Sequence, residues 1–135
     1  MADRLILSTH VHAELRAEAA RAVPSECCGV LAGRDGRVTA LYAVPNAADE
    51  RLTRYEMDPA ELWAARRRAR DEGLEVLGFY HSHPRTPPVP SSYDVERAYY
   101  PDAVYAIAGL VPGFEVRAFR IADGLVSEVG LEIEE

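Results

Sequence analysis

The run Leu74–His83, LEVLGFYHSH, constrains the fold more than any other stretch. It is apolar almost without interruption until its last three residues, which suits a central strand covered on both faces. A helical pattern ends just before it at Gly73, and Pro84, Pro87, Pro88 and Pro90 follow it. Proline lacks the amide proton that a ladder needs, so the strand must give way to a stiff loop there.

The remaining elements assemble around that strand. Val11, Leu15, Ala19 and Ala22 recur at steps of three and four, predicting a helix from about Val11 to Ala22, capped by Ser8 or Thr9. The apolar runs CCGVLAG and RVTALYAVPN flank Arg34-Asp35-Gly36 and predict a hairpin. The polar segment AADERLTRYEMD reads as a loop, with Tyr55 and Met57 tucked against the body. Asp58 as N-cap and Pro59 at the first helical position open a second helix that runs to about Glu72, with Leu62, Ala65 and Ala69 facing inward. A short helix is expected from about Ser92 to Tyr99, followed by three strands, DAVYAIAGL, FEVRAFRIA and LVSEVGLEIE. Helices between strands of both senses predict an α/β fold, a mixed sheet flanked by helices, in one domain spanning residues 1–135.

Charge and composition exclude several functions. The formal net charge of −7 opposes a phosphate-backbone partner, and Arg66–Arg70 (RRRAR) reads as the solvated face of the second helix, so no nucleic-acid partner is expected. No apolar run approaches the roughly 20 residues of a membrane span, and Leu5–Leu7 is too short for a signal-peptide core, so no membrane association is expected. Cys27 and Cys28 are adjacent and cannot staple distant segments; they read as thiols of a cytoplasmic protein. The sequence leaves the oligomeric state open, a homodimer included.

The chain has four histidines, and two of them, His81 and His83, end the central strand one residue apart. Residues two apart on a strand share a face, so both imidazoles can grip one ion. Asp94, beyond the proline-rich loop in the first turn of the next helix, supplies a candidate third ligand, and three protein ligands would leave a fourth position for water, as in catalytic zinc sites. Two surface histidines beside a loop, and a helix-capping box formed by Ser91 and Asp94, are the bland alternatives. His10 and His12 begin a helix, where residues two apart diverge, and read as surface or capping residues. A hydrolytic site also needs a base. Glu26 precedes the apolar run CCGVLAG, where partial desolvation would raise its pKa, while an ordinary strand-edge glutamate is its plain reading.

HSHPRTPPVPSSYD resembles the JAMM motif of the JAB1/MPN/Mov34 metalloprotease family, with His81, His83, Ser91 and Asp94 at the family's spacing. PSECCGVLAG is similar to the family's glutamate segment and puts Glu26 in the matching position. The resemblance covers nearly the whole chain. It implies a cytidine-deaminase-like α/β domain with one zinc ion per chain held by His81, His83 and Asp94. Glu26 would then act as the proton acceptor and donor, and Ser91 as a hydrogen-bond donor to the developing oxyanion. Gly109 stands where many relatives have serine, a change expected to remove a minor hydrogen bond or widen the pocket. The absence of long insertions resembles the compact prokaryotic type. The implied substrate is a small ubiquitin-like sulfur-carrier protein ending in Gly-Gly, cleaved after the glycine pair to release cysteine, a peptide or an amine. Tyr93, Tyr99 and Tyr100 could line the approach or simply pack. An inert scaffold of the same fold and a peptidase for other extended peptides are the competing functions.

Overall fold

The computed structural model describes residues 4–134. Its ten elements run β1 (Arg4–Ser8), α1 (Thr9–Ala22), β2 (Cys28–Arg34), β3 (Arg37–Val44), α2 (Pro59–Asp71), β4 (Glu75–His83), α3 (Ser92–Glu96), β5 (Val104–Gly109), β6 (Glu115–Ala122) and β7 (Leu125–Glu134). The strands form one mixed sheet in the order β1-β3-β2-β4-β5-β6-β7, and β7 pairs back onto β1 to close it. Pairing is parallel at β1–β3, β1–β7 and β4–β5 and antiparallel elsewhere. The expected α/β architecture with a mixed, helix-flanked sheet is present, and closure is the feature the sequence reading lacked.

Closure depends on β1, a strand that the local sequence pattern does not mark. Its alternation is brief, but Leu5 and Leu7 are buried, and both its partners are parallel. Five residues give too short a period to register, and the pairing that defines the strand lies at the other end of the chain.

The two faces of the sheet carry different helices. Leu5 and Leu7 of β1, Leu31, Tyr80 and Ala106 join Val11, Leu15 and Ala19 of α1 in one apolar cluster. Val30, Phe79, Ile107 and Ile121 form the other, with Ala65 and Ala69 of α2 and a flank of α3. Ser8, not Thr9, caps α1, its Oγ accepting the Val11 N–H at 3.1 Å. Asp58 caps α2 as expected, and Gly73 with φ 76° follows it. The hairpin turn sits at Asp35 and Gly36, both with positive φ.

The third helix is shorter than expected, ending at Glu96 instead of Tyr99. Pro101 pushes Tyr100 away from helical geometry, and the Tyr100 N–H donates to the Tyr105 hydroxyl at 3.1 Å. Tyr99 and Tyr100 therefore lie in a loop.

Candidate metal centre

Strand register builds most of the site. Cys28 pairs with His81 in antiparallel β2–β4, and the ladder continues one step further: the Ser82 N–H donates to the Cys27 carbonyl at 3.1 Å. Extending it again sets Glu26 opposite His83, on the face that carries both imidazoles. Phe79 shares that face, so the site sits on the α2/α3 side of the sheet. The proline-rich loop then returns the chain, and α3 delivers Asp94 from its first turn.

The donor atoms converge tightly. His81 Nε2 and His83 Nε2 are 3.2 Å apart, and each is 3.1 Å from Asp94 Oδ2. A tetrahedral zinc with bonds of roughly 2.0–2.1 Å has ligand atoms about 3.3 Å apart, so this triangle matches one face of such a site. His83 Nδ1 donates to the Pro87 carbonyl at 2.9 Å, which leaves its Nε2 lone pair directed at the centre. Lone pairs converging at this distance call for a cation between them.

A second carboxylate faces the same point. A Glu26 oxygen and a ring nitrogen from each histidine all lie within 4.8 Å of one another, a cluster able to hold a metal. Glu26 makes no hydrogen bond with either ring, and its Oε1 is buried without a partner, as is His81 Nδ1. Asp94 Oδ2 thus stands 3.1 Å from both ring nitrogens, and a Glu26 oxygen lies within 4.8 Å of a nitrogen of each ring. The donor set fits zinc.

The electrostatics separate these groups. Burial, reinforced by the Asp94 charge and only partly opposed by His83, pushes the Glu26 carboxyl up to about 8. Asp94 is also buried, but its close approach to the His81 and His83 rings and the hydrogen bond from the Ser91 N–H outweigh that and hold its carboxyl well below the usual range. Burial lowers the His81 pKa, which favours the neutral ring that a metal requires. At His83 burial acts in the same direction but is outweighed by Asp94 and the Pro87 carbonyl, so its pKa rises.

Ser91 caps α3. Its Oγ accepts the Asp94 N–H at 3.1 Å, and its own N–H donates to Asp94 Oδ2 at 2.9 Å. The capping box is thus real and coexists with the centre, because it orients Asp94 and leaves the hydroxyl proton free. His10 is exposed beside Glu14, and His12 packs edge-on against Phe114; neither belongs to the site.

Three residues that the sequence reading assigned no role at the site shape it. Ser82, between the two histidines, accepts the Cys27 N–H on its Oγ at 2.8 Å, so the segment bearing Glu26 is clamped to β4. Asn46 donates to the Glu26 and Arg54 carbonyls and accepts from the Ala48 and Glu56 amides, all at 3.0 Å. It ties the loop before α2 to Glu26. That loop carries Tyr55, whose ring stacks on His81 at 4.3 Å between centroids. A serine between paired histidines was the one visible signal.

Gly109 pairs with His83, and a Cβ there would stand 2.8 Å from Pro88 Cδ. The missing side chain therefore does not widen the pocket. Pro88 fills the space.

Two histidines from one strand, with two buried carboxylates beside them, form a candidate metal centre of hydrolase type on a closed α/β sheet. Residues 8–122 match the family of prokaryotic homologues of the JAB domain, and the chain belongs to that JAB1/MPN family. It is 49% identical over 86 residues to the desampylase of Haloferax volcanii, a match covering 62% of each chain and so under two thirds of that relative. It is 36% identical over 122 residues to a probable TtuB-protein conjugate cleaving protease of Thermus thermophilus, covering 89% of this chain and 76% of that one. Identity is also 36% over 122 residues to the CysO-cysteine peptidase of Mycobacterium tuberculosis, with coverage of 88% and 84%. A solved protein of Desulfitobacterium hafniense superposes with a TM-score of 0.88 at 33% identity, covering 97% of this chain and 93% of that one. A JAB1/MPN domain protein of Archaeoglobus fulgidus shares the fold, with a TM-score of 0.66 at 19% identity and coverage of 97% and 100%.

Proposed function

We propose that this chain is a zinc-dependent peptidase or isopeptidase that hydrolyses the amide bond after the C-terminal Gly-Gly of a small ubiquitin-like carrier protein. The observation that carries the reading is the His81–His83–Asp94 triangle with Glu26 unpaired beside it. In this assignment His81, His83 and Asp94 hold one zinc ion per chain, and Glu26 stays outside the ligand set. Zinc bound there supplies Lewis acidity, polarising the scissile carbonyl and acidifying water.

The chain's own groups supply the rest. Glu26 takes the proton from the attacking water and returns it to the leaving amine. A carboxyl raised by burial to about 8 has a proton affinity suited to both transfers near neutral pH, and a neighbouring cation draws it lower toward the base form. Ser91 turns its free hydroxyl proton toward the carbonyl oxygen as negative charge builds there. The Cys27–Ser82 clamp keeps Glu26 facing the same point throughout.

The carrier substrate is supported by relatives named for cleaving TtuB conjugates and CysO-cysteine. Glycines before the cut suit a reacting point enclosed by β4, the proline-rich loop and the Tyr55 loop. No described helix is long and apolar enough to cross a membrane. Two buried free thiols agree with a reducing cytoplasm.

The test is cleavage of a β-grasp carrier extended past Gly-Gly by purified zinc-loaded protein, beside the same fusion carrying Val-Val. Selective loss of the Gly-Gly fusion, abolished by Glu26→Gln, is expected. Equal cleavage of both fusions would replace the carrier reading with a less selective peptidase, and no cleavage of either would favour an inert scaffold.

A further inference from the structure

A cavity of about 220 Å³ opens beside the metal centre, between the loop before α2, the first turn of α2 and α3. Tyr55, Met57, Leu62, Phe79, Tyr93 and Tyr100 are among the residues that line it. Three of its walls are continuous with the centre. Tyr55 stacks on His81, Phe79 precedes His81 by two residues on the same face of β4, and Tyr93 adjoins Asp94. The cavity is smaller than the roughly 300–1,000 Å³ typical of small-molecule sites, a size suited to one side chain.

Arginines stack around the lining. The Arg66 guanidinium lies 4.9 Å from the Tyr100 ring centre and 5.6 Å from that of Phe79. Arg54 and Arg97 lie 4.7 and 5.1 Å from the Tyr93 ring centre. Arg54 has Glu50 as an ion-pair partner, whereas among the described residues Arg66 and Arg97 form no salt bridge. Ring faces already covered by guanidinium groups are not offered to another cation, and the carboxylate in the lining, Glu56, already interacts with Arg97.

We propose that this cavity is a specificity pocket for an apolar side chain immediately upstream of the glycine pair. The inference rests on the carrier reading above and names the feature of the carrier's tail that the enzyme recognises. An extended chain advances about 3.3 Å per residue. With the scissile carbonyl at the centre, the two glycines cross the space beside His81, and the next residue reaches the cavity mouth near Phe79. Burial of its side chain among the tyrosines anchors the tail, and the glycines then hold the bond in place without filling the site.

The experiment uses one carrier fusion in three forms, ending Leu-Gly-Gly, Ala-Gly-Gly or Lys-Gly-Gly before the extension. A missing methylene in an apolar pocket is worth about 10-fold or more in discrimination, so kcat/KM should fall at least about 10-fold from Leu to Ala and further for Lys. Calorimetric binding of the matching tail peptides to metal-free Glu26→Gln protein should follow the same order, which tests the pocket without catalysis. Leu62→Phe, which fills the cavity from α2, and Tyr99→Ala, which strips its exposed rim, should each bring the Leu/Ala ratio toward one. Efficient cleavage of all three forms with equal peptide binding would overturn the pocket and leave the carrier reading standing. Ordered peptide binding without Gly-Gly cleavage would support the pocket while the carrier reading fell.

Discussion

Glu26 is buried opposite His83 at the end of the β2–β4 ladder, and its raised carboxyl has a consequence for stability. Burial lifts it to about 8, so the folded chain keeps a proton that the unfolded chain releases near 4.5. Its contribution is therefore fully present below about pH 4.5 and is lost as pH rises through about 8. Thermal unfolding of metal-free protein should show wild type losing stability relative to Glu26→Gln between pH 5 and pH 9. A constant gap across that range would mean that the carboxyl is not raised. Ser82 gives a second test at this scale. Removing its hydroxyl frees the segment bearing Glu26, and a displacement of about 1 Å can cost on the order of 100-fold in rate. Ser82→Ala should retain zinc and KM while kcat falls at least about 10-fold, and Ser82→Thr should recover most of it. Unchanged kcat in Ser82→Ala would remove the clamp from the account. The grouping of both histidines with Asp94 was legible in their types and spacing, whereas Glu26 and Ser91 were singled out by the resemblance of PSECCGVLAG and HSHPRTPPVPSSYD to the family's motifs. Ser82 and Asn46 were not legible, because they act on backbone groups 55 and 20 residues away, where no side-chain pattern marks the partner.

Among the elements, β1 and the proline-rich loop do most to hold the site's surroundings. Leu7 is fully buried under α1, in the strand that joins β3 to β7. Leu7→Ala should destabilise the protein by about 2–5 kcal/mol in denaturant unfolding, whereas exposed Leu125→Ala should stay within about 0.5 kcal/mol. Similar small effects at both positions would contradict a closed sheet. The proline-rich loop rests on β5 because Gly109 has no side chain. Gly109→Ser would bring a Cβ to 2.8 Å from Pro88 and push the loop outward, loosening the Pro87 carbonyl from His83 Nδ1. Weaker zinc affinity by about 10-fold is the expected result, measured by chelator competition. Unaltered affinity would show that the loop tolerates the added atoms. Helices α1 and α2 were readable from apolar spacing and caps. The length of α3 was not, because a hydrogen bond to Tyr105 and the geometry before Pro101 ended it early.

Across the molecule, the two faces of the sheet divide the work. One face packs around α1 and stabilises the fold, and the other carries the metal centre, the aromatic cavity and α2. The central strand links them: Tyr80 donates to Glu18 of α1 at 2.6 Å on one side, while its neighbours His81 and Phe79 build the site on the other. That division was partly visible in the apolar run Leu74–His83, but sheet closure required a pairing between the two ends of the chain. Because a metal ligated only by the folded chain adds its binding energy to stability, zinc at about 100 times its dissociation constant should stabilise the protein by about 2.7 kcal/mol. The most direct test of the account is zinc content per chain in wild type, Glu26→Gln and Asp94→Asn, purified without added metal and checked for folding by circular dichroism. The account predicts about one zinc in wild type and in Glu26→Gln and a clear loss in folded Asp94→Asn, since Asp94 stands 3.1 Å from both histidine nitrogens. Loss of zinc from Glu26→Gln with full retention in Asp94→Asn would make Glu26 the ligand and contradict its assignment as the base.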